Sequence, residues 1–412
     1  MNILMLGRWL PPPRQAVRGT REYQFARHLA RRHQLTLGFV TDNPDSVGAI
    51  SALRAEFRDL EFAAVPKTWK SLAGAVSLVS GESCTLSYFR SEALRTRLTD
   101  RLRRTRYDLV LVSSSSMIQY AVDIDPSIPM LVDFGEVDSE WWFRRAAQGP
   151  FPAGRFFRAE ATRLRGAEAR AARRAGGCLV ASEAAAEIVR SLDPAVPPTI
   201  IPNGVDVEFF APSPRACTVL TVVLSASLNS AADVQDATDF CRDVLPLVRA
   251  RIPQTRFLLY SRDPAPTGRA MTQLAGVEVA ASTTDVRPLL HSGVVAAAPV
   301  RLGSDLRGAV LEPMAAGIPV VATSKVRDQL PGEIDHAMRI ADDPSEAAGH
   351  LVQLLEDSRI RSALGAAGRA YVAAHHAWSV VAAGLSEIVD AVTVPPRSAR
   401  ATQHAPMKTA RP

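Results

Sequence analysis

Short apolar runs separated by helical stretches recur along this chain, and that alternation restricts its fold more than any other feature. Asn2 to Leu6 is the first run, and it stops at Gly7-Arg8. A proline-rich loop follows (Pro11-Pro12-Pro13), and Gly19-Thr20 then opens a helix from Arg21 to His33. Phe25 and Leu29 share one face of that helix while Arg27, Arg31 and Arg32 turn outward, and His28 and His33 read as surface residues. Leu35 to Val40 is the second strand, ended by the turn Thr41-Asp42-Asn43-Pro44. Two strands joined through a helix run parallel, because a parallel pair needs a crossover and the helix supplies it. The expected class is therefore α/β, with helices covering a parallel sheet.

The same alternation continues. Leu109 to Val112 is a strand that ends in the polar run Ser113-Ser114-Ser115-Ser116, and Met130 to Asp133 is a strand that delivers Gly135-Glu136-Val137-Asp138 into a loop. A long Ala/Arg/Glu helix runs from about Pro152 to Arg174, Cys178 to Ala181 is a strand, and Ser182 stands at the N-cap of Glu183 to Leu192. Thr199 to Pro202 closes this half. Pro194 to Pro214 is rich in proline and contains the turn Asn203-Gly204-Val205-Asp206, which marks a domain boundary. The pattern then restarts, with strands at Val219–Leu224, Arg256–Tyr260, Val277–Ala281, Val294–Ala298 and Pro319–Ala322. Two parallel α/β domains joined by one hinge suggest a ligand held between them, at the carboxyl ends of the strands.

Composition narrows the class. The chain has 412 residues, too many for one ordinary core, and its 47% hydrophobic content excludes wholesale disorder. No apolar run approaches the roughly 18–20 residues that span a bilayer, and Met1 to Arg8 does not read as a signal peptide. Cys84, Cys178, Cys217 and Cys241 lie far apart with no metal-ligand spacing, so they read as reduced core residues of a cytoplasmic protein. The net charge of +6 is partly carried by a tail with Arg397, Arg400, Lys408 and Arg411 and no acid after Asp390. Basic helices of this kind suit peripheral contact with an anionic membrane surface. Nucleic acid is not an expected partner, since no stacking aromatics interleave with the charges to make a binding pattern. Asp123-Ile124-Asp125 spells a metal-binding D-x-D, but it lies in a loop of the first half, and no metal site is expected there. Neither G-x-G-x-x-G nor a P-loop occurs.

Several segments carry a resemblance. Ile201-Pro202-Asn203-Gly204-Val205-Asp206 resembles the interdomain "PNGVD" element of the retaining GT-B glycosyltransferases of glycosyltransferase family 4. Val310 to Thr323, read L-E-P-M-A-A-G-I-P-V-V-A-T from Leu311, resembles that family's donor-binding segment. The last helix, with Trp378 ahead of an apolar stripe, resembles the helix that crosses back to the N-terminal domain. Val132 to Trp141, Ser113 to Tyr120 and Asp243-Val244-Leu245-Pro246 look like the sugar transferases associated with exosortase-linked exopolysaccharide loci.

The resemblance implies a GT-B fold with two Rossmann-like domains facing across a cleft. Residues 1–200 would form the acceptor-side domain, 201–216 the hinge, 217–375 the nucleotide-sugar-binding domain, 376–390 the returning helix, and 391–412 a disordered tail. It also implies a metal-independent hexosyltransferase without a cofactor, moving a hexose from a nucleoside diphosphate sugar to a saccharide or lipid-linked acceptor with retention. Glu312 would accept hydrogen bonds from the ribose diol, a geometry suited to a carboxylate. Gly308 would let helix-start amides approach the diphosphate, and Arg307 would stabilise the leaving diphosphate. Ser304, Asp305, Arg262 and Ser227 take the remaining donor-side positions. Asp138 would polarise the acceptor hydroxyl, with Gly19, Asp133 and Ser114 on the acceptor side; the other reading of Asp138 is a cap for its own helix. Ser304 stands where the family's E-x(7)-E pattern has its first Glu, and the Ser225–Ser230 stretch and Ala309 lack the family's phosphate-binding cations. These departures keep a second reading open, a catalytically silent relative that binds glycans or partners.

Overall fold

The computed structural model describes residues 1–8, 20–41, 47–65, 81–122, 124–195, 197–214, 219–225, 231–260, 276–280, 285–300 and 307–393. Pro11 to Pro13, Cys217, Asp123 and the tail from residue 394 lie outside these.

The described chain folds around two all-parallel sheets. The first holds β1 (Asn2–Gly7), β2 (Gln34–Thr41), β3 (Asp59–Ala64), β4 (Leu109–Ser113), β5 (Met130–Gly135), β6 (Gly177–Val180) and β7 (Pro198–Ile200), in the order β3-β2-β1-β4-β5-β6-β7. The second holds β8 (Thr221–Ser225), β9 (Arg256–Tyr260), β10 (Val277–Ala280), β11 (Val295–Ala298), β12 (Val320–Ala322) and β13 (Arg339–Ile340), in the order β10-β9-β8-β11-β12-β13. Each sheet grows outward from its first strand and then reverses beside it, at β1/β4 and at β8/β11.

Strand composition explains the layering. In β1, Leu4 and Leu6 enter the core on one face while Ile3 and Met5 enter the core on the other. In β8, Val222 and Leu224 point to one core and Val223 to the other. Strands buried on both faces need unbroken apolar runs, which is why these segments are legible. The edges differ. β3 alternates acidic and apolar residues and buries only Ala63, and β13 has two residues, so neither shows in the hydrophobic pattern.

The helix Trp378–Thr393 follows the second sheet in sequence but packs on the first. Val381, Leu385 and Val389 lie at i, i+4 and i+8 and join the core formed by Phe25, Leu29, Leu109 and Leu179. Each buried side chain of this size contributes on the order of 2 kcal/mol. The helix ends three residues beyond the boundary at 390 read from the sequence. It also corrects the expectation for two histidines. His28 and His33 are half-buried beneath it, and His28 Nε2 stands 2.8 Å from Ser386 Oγ. The first helix is shorter than its pattern suggested, Arg21–Ala30, and Thr20 caps it by accepting from the Tyr23 amide.

The segment Asn203 to Val205 is pinned to the start of this last helix. Val205 N donates to the His376 carbonyl at 2.8 Å, and His376 Nδ1 lies 2.9 Å from the Asn203 carbonyl. Gly204 sits against the Trp378 indole so closely that a Cβ there would stand 2.5 Å from a ring carbon. Trp378 is held on its other side by an edge-to-face contact with Phe25 at 6.5 Å. We predict that Gly204→Ala destabilises the protein by about 1–3 kcal/mol through this overpacking, measured as a lowered urea midpoint. Gly349→Ala, where a Cβ meets nothing, should leave the midpoint in place or raise it, because alanine favours the helix.

Candidate functional site

Ligands of doubly wound sheets sit at the carboxyl edge where strand order reverses. In the first sheet that reversal places Arg8 after β1, Ser114 after β4, and Glu136 to Asp138 after β5. Ser114 is the one non-glycine among the described residues with a positive φ, 79° with ψ 141°. That conformation costs a side-chain-bearing residue about 1–3 kcal/mol and persists only where the surroundings impose it. Its result is local and specific. Ser114 Oγ donates to Asp138 Oδ2 at 3.2 Å and lies 3.0 Å from Ser116 Oγ.

Asp138 is also 3.9 Å from an Arg8 guanidinium nitrogen, and its side chain is 27% exposed. It opens on a cavity of about 460 Å³ lined by Arg8, Thr85, Tyr88, Glu136, Trp141 and Trp142, among others. Burial pushes the Asp138 carboxyl above its ordinary value, against the pull of Arg8 and of the Ser114 hydrogen bond. A carboxyl tuned in this way, within reach of a cavity of this size, is suited to proton transfer. Indole and phenol rings beside carboxylates give flat apolar platforms with polar groups at their rim.

Two buried glutamates of the long helix Ala153–Arg174 build this wall. Glu168 accepts from Ser139 N at 3.1 Å, from Ser115 Oγ at 2.7 Å, and from Ser139 Oγ. It thereby caps the helix Asp138–Gln148, whose own N-cap, Val137, has no side-chain bond to give. Asp138 is therefore not the cap of its own helix; its carboxylate instead accepts from the Ser115 amide at the start of the turn Ser115–Tyr120. Glu160 accepts from Ser83 Oγ and Cys84 N, both at 2.6 Å, and from Thr85 N at 2.9 Å. Thr85 Oγ1 in turn accepts from Trp142 Nε1 at 3.0 Å, fixing the indole in the cavity wall.

Asp133 is placed otherwise. It is 1% exposed, and both its oxygens accept from Arg21 Nε, at 2.8 and 3.0 Å. Arg21 Nη1 donates to the carbonyls of Ile201, at 2.6 Å, and Pro202, at 3.1 Å. Asp133 thus fastens the end of β5 to the segment that leaves the first sheet. Asp125 of the D-x-D is exposed, and its loop precedes β5, at the opposite edge of the sheet. Among the described residues no three His, Cys, Asp or Glu side chains gather as metal ligands would.

In the second sheet the reversal falls at the carboxyl ends of β8 and β11. A π-helical turn, Arg307–Leu311, runs directly into the short helix Glu312–Ala315. Gly308 is buried, and Glu312 is 2% exposed. The helical stretch thus begins one turn before Glu312, so the amides at its start belong to Arg307 to Val310. π-Turns of this kind are rare and concentrate at functional sites. Gly317, at φ 70°, lets the chain turn back into β12, and Thr323 Oγ1 ties β12 to the Val300 carbonyl at 2.7 Å. The side chain of Arg307 and all of Ser304, Asp305, Arg262, Ser227 and Gly19 lie outside the described residues. Arg8, Arg21, Glu160 and Glu168 were not singled out by the sequence. Arg8 alone carried a signal, as the first polar residue after the first strand.

Residues 220–357 match the family described as glycosyl transferases group 1. No curated protein matches the chain in sequence. Sucrose-phosphate synthase from Thermosynechococcus elongatus superimposes with a TM-score of 0.66 at 14% identity, covering 95% of this chain and 99% of that one. HepE of Anabaena, solved with UDP-glucose, gives 0.61 at 15% identity over 95% and 100%. A variant of S. aureus TarM, solved with Fondaparinux, alpha-GlcNAc-glycerol and UDP, gives 0.60 at 10% identity over 96% and 100%. The architecture is that of GT-B glycosyltransferases, two parallel α/β domains with sheets of seven and six strands.

The raised Asp138 carboxyl has a stability consequence. The folded state holds this proton more tightly than the unfolded state, so the group favours folding most at acid pH, and that advantage fades as pH rises through the folded value. Asp138→Asn removes the charge that burial opposes. Its melting temperature at neutral pH should equal or exceed that of the parent, and the difference should vanish in acid. A clear loss of melting temperature at neutral pH would show that Asp138 stabilises the fold instead.

Proposed function

We propose that the protein is a glycosyltransferase that moves a hexose from a nucleoside diphosphate sugar to an acceptor hydroxyl with retention of configuration. The observation that carries this reading is the strained Ser114 aimed at Asp138 on the cavity of the first domain. A glycosyl transferases group 1 match spans the second. UDP-sugars are the first donors to try, because HepE and TarM were solved with UDP or UDP-glucose.

In the reaction, the bond between the anomeric carbon and the diphosphate oxygen breaks as the acceptor oxygen bonds to that carbon. The acceptor proton passes to the Asp138 carboxylate, which Ser114 orients and whose anionic form Arg8 favours against burial. Glu312 takes the ribose diol. The amides from Gly308 onward and the Arg307 side chain carry the charge that develops on the departing diphosphate. Ser304, Asp305, Arg262 and Ser227 complete the donor side. Asp133 acts through Arg21, holding the end of β5 in position, while Gly19 and Ser114 border the acceptor. The chemistry needs no metal or cofactor, since cationic and amide groups serve the diphosphate. A saccharide or lipid-linked acceptor fits the aromatic and carboxylate lining of the cavity, and exopolysaccharide or glycoconjugate assembly is the matching role.

UDP and UDP-sugars should raise the melting temperature, by an amount equivalent to about 2.7 kcal/mol at a hundred times Kd. Glu312→Gln, which keeps the buried volume, should abolish that shift while the free protein melts within a few degrees of the parent. Arg307→Ala should lower kcat by roughly two to three orders of magnitude, and excess chelator should leave turnover unchanged. A protein that binds no nucleotide sugar and neither hydrolyses nor transfers any common donor would instead be a silent binding scaffold.

A further inference from the structure

The stretch from residue 141 to 158, WWFRRAAQGPFPAGRFFR, contains six aromatic residues and four arginines and no acid. It forms the bend between the helices Asp138–Gln148 and Ala153–Arg174. Part of its aromatic content is internal. Trp142 packs on Phe157 with ring centroids 5.7 Å apart, and Arg145 lies over Phe157 at 5.0 Å. The rest faces out. Phe151 at the tip is 78% exposed, and Trp141 is 48% exposed. Arg144, Arg145, Arg155 and Arg158 are all exposed, and the last three make no ion pair with a described acid. Arg155 lies over the Phe151 ring at 5.6 Å and Arg145 over Trp141 at 5.2 Å, so cation and ring present themselves together.

Exposed rings alone would fit many partners. This stretch corrects the sequence reading that no aromatics interleave with the charges: exposed rings alternate here with arginines and no acid, which suits a surface that is apolar beneath and anionic on top. A bilayer with anionic headgroups is such a surface, since aromatic side chains settle at the headgroup boundary and arginines at the phosphates. No described helix is long and apolar enough to cross a membrane, so the contact is peripheral. The placement also has a consequence for the cavity. Trp141, Trp142 and Arg144 of this same bend line it beside Asp138.

We propose that the helical bend from residue 141 to 158 docks the protein on an anionic bilayer and that the acceptor reaches the Asp138 cavity from the lipid phase. The second half of this statement rests on the proposed acceptor role of the cavity; the first half does not. The test is co-sedimentation of the full-length protein with phosphatidylcholine vesicles, with and without phosphatidylglycerol as a third of the lipid. The parent should partition onto the anionic vesicles and be released by salt. Phe151→Ser, and separately Arg155→Gln with Arg158→Gln, should each lower the partition coefficient about tenfold or more. All three side chains are exposed and outside the cavity lining, so melting temperatures and UDP-induced shifts should not change. No partition onto anionic vesicles, or equal partition by parent and variants, overturns the proposal; the latter would assign binding to other cations, such as those of the tail. A parent that dimerises in solution and becomes monomeric on Phe151→Ser would assign the surface to a second copy instead, which also overturns it. The UDP shift is read on the same samples, so failure of the donor reading and failure of the membrane reading are separable.

Discussion

One guanidinium holds the N-terminal wall of the site in place. Arg21 leaves the first turn of the first helix and reaches Asp133 at the end of β5, a residue 112 positions away in sequence. Its other arm reaches the carbonyls of Ile201 and Pro202, where the chain departs from the first sheet. The face of the group stacks over Phe25 at 4.6 Å. Only a planar fork of donors can satisfy a carboxylate and two carbonyls together, and a lysine ammonium could not substitute. Because Gly135 to Asp138 continue directly from Asp133, the same fastening fixes the position of the carboxylate that faces the cavity. It also neutralises the buried Asp133, whose charge would otherwise repel Glu22.

Buried carboxylates recur as fasteners in this domain. The helix Ala153–Arg174 reads in sequence only as a long Ala/Arg/Glu helix, and glutamates on helices are ordinarily solvated. Glu160 and Glu168 instead turn inward and collect amide and hydroxyl donors from two other helix starts. Glu168 supplies a cap that Val137 cannot give, whereas Glu160 adds to the local cap in which Ser83 Oγ accepts from the Leu86 amide. Burial raises the Glu168 carboxyl, while the Ser139 and Ser115 hydrogen bonds pull it back. Serine hydroxyls, which can rotate to suit, are the natural partners for a group under such opposed demands.

The strands buried on both faces were legible because their requirement is local: every residue must be apolar, whichever way it points. β3 and β13 were not, since an edge strand meets that requirement on one side or for too few residues. Asp138 was legible as an acid just past a strand end, and Ser114 as part of a polar run. Their hydrogen bond was not, because it depends on a backbone angle that no pattern of side chains encodes. Arg21 and Glu168 fall in the same class, since their partners are set by the packing of helices far apart in sequence. Glu312 became visible only through resemblance to a family segment. Its neighbourhood in the fold, a π-turn feeding a short helix, has no compositional signature of its own.

The returning helix imposes an order on the making of the protein. The core that joins Ile3, Met5 and Leu179 of the first sheet with Phe25 of the first helix receives Val381, Leu385 and Val389 from the far end of the chain. During synthesis the first sheet is complete once Ile200 has emerged, yet the residues that complete this core are still to be translated. At about 5–20 residues per second the wait is on the order of 10–40 s. For that interval a nascent chain displays an apolar stripe in the form it will later bury. The ribosome-bound first domain is therefore an unfinished surface, and the last helix seals it only after the second sheet has been made.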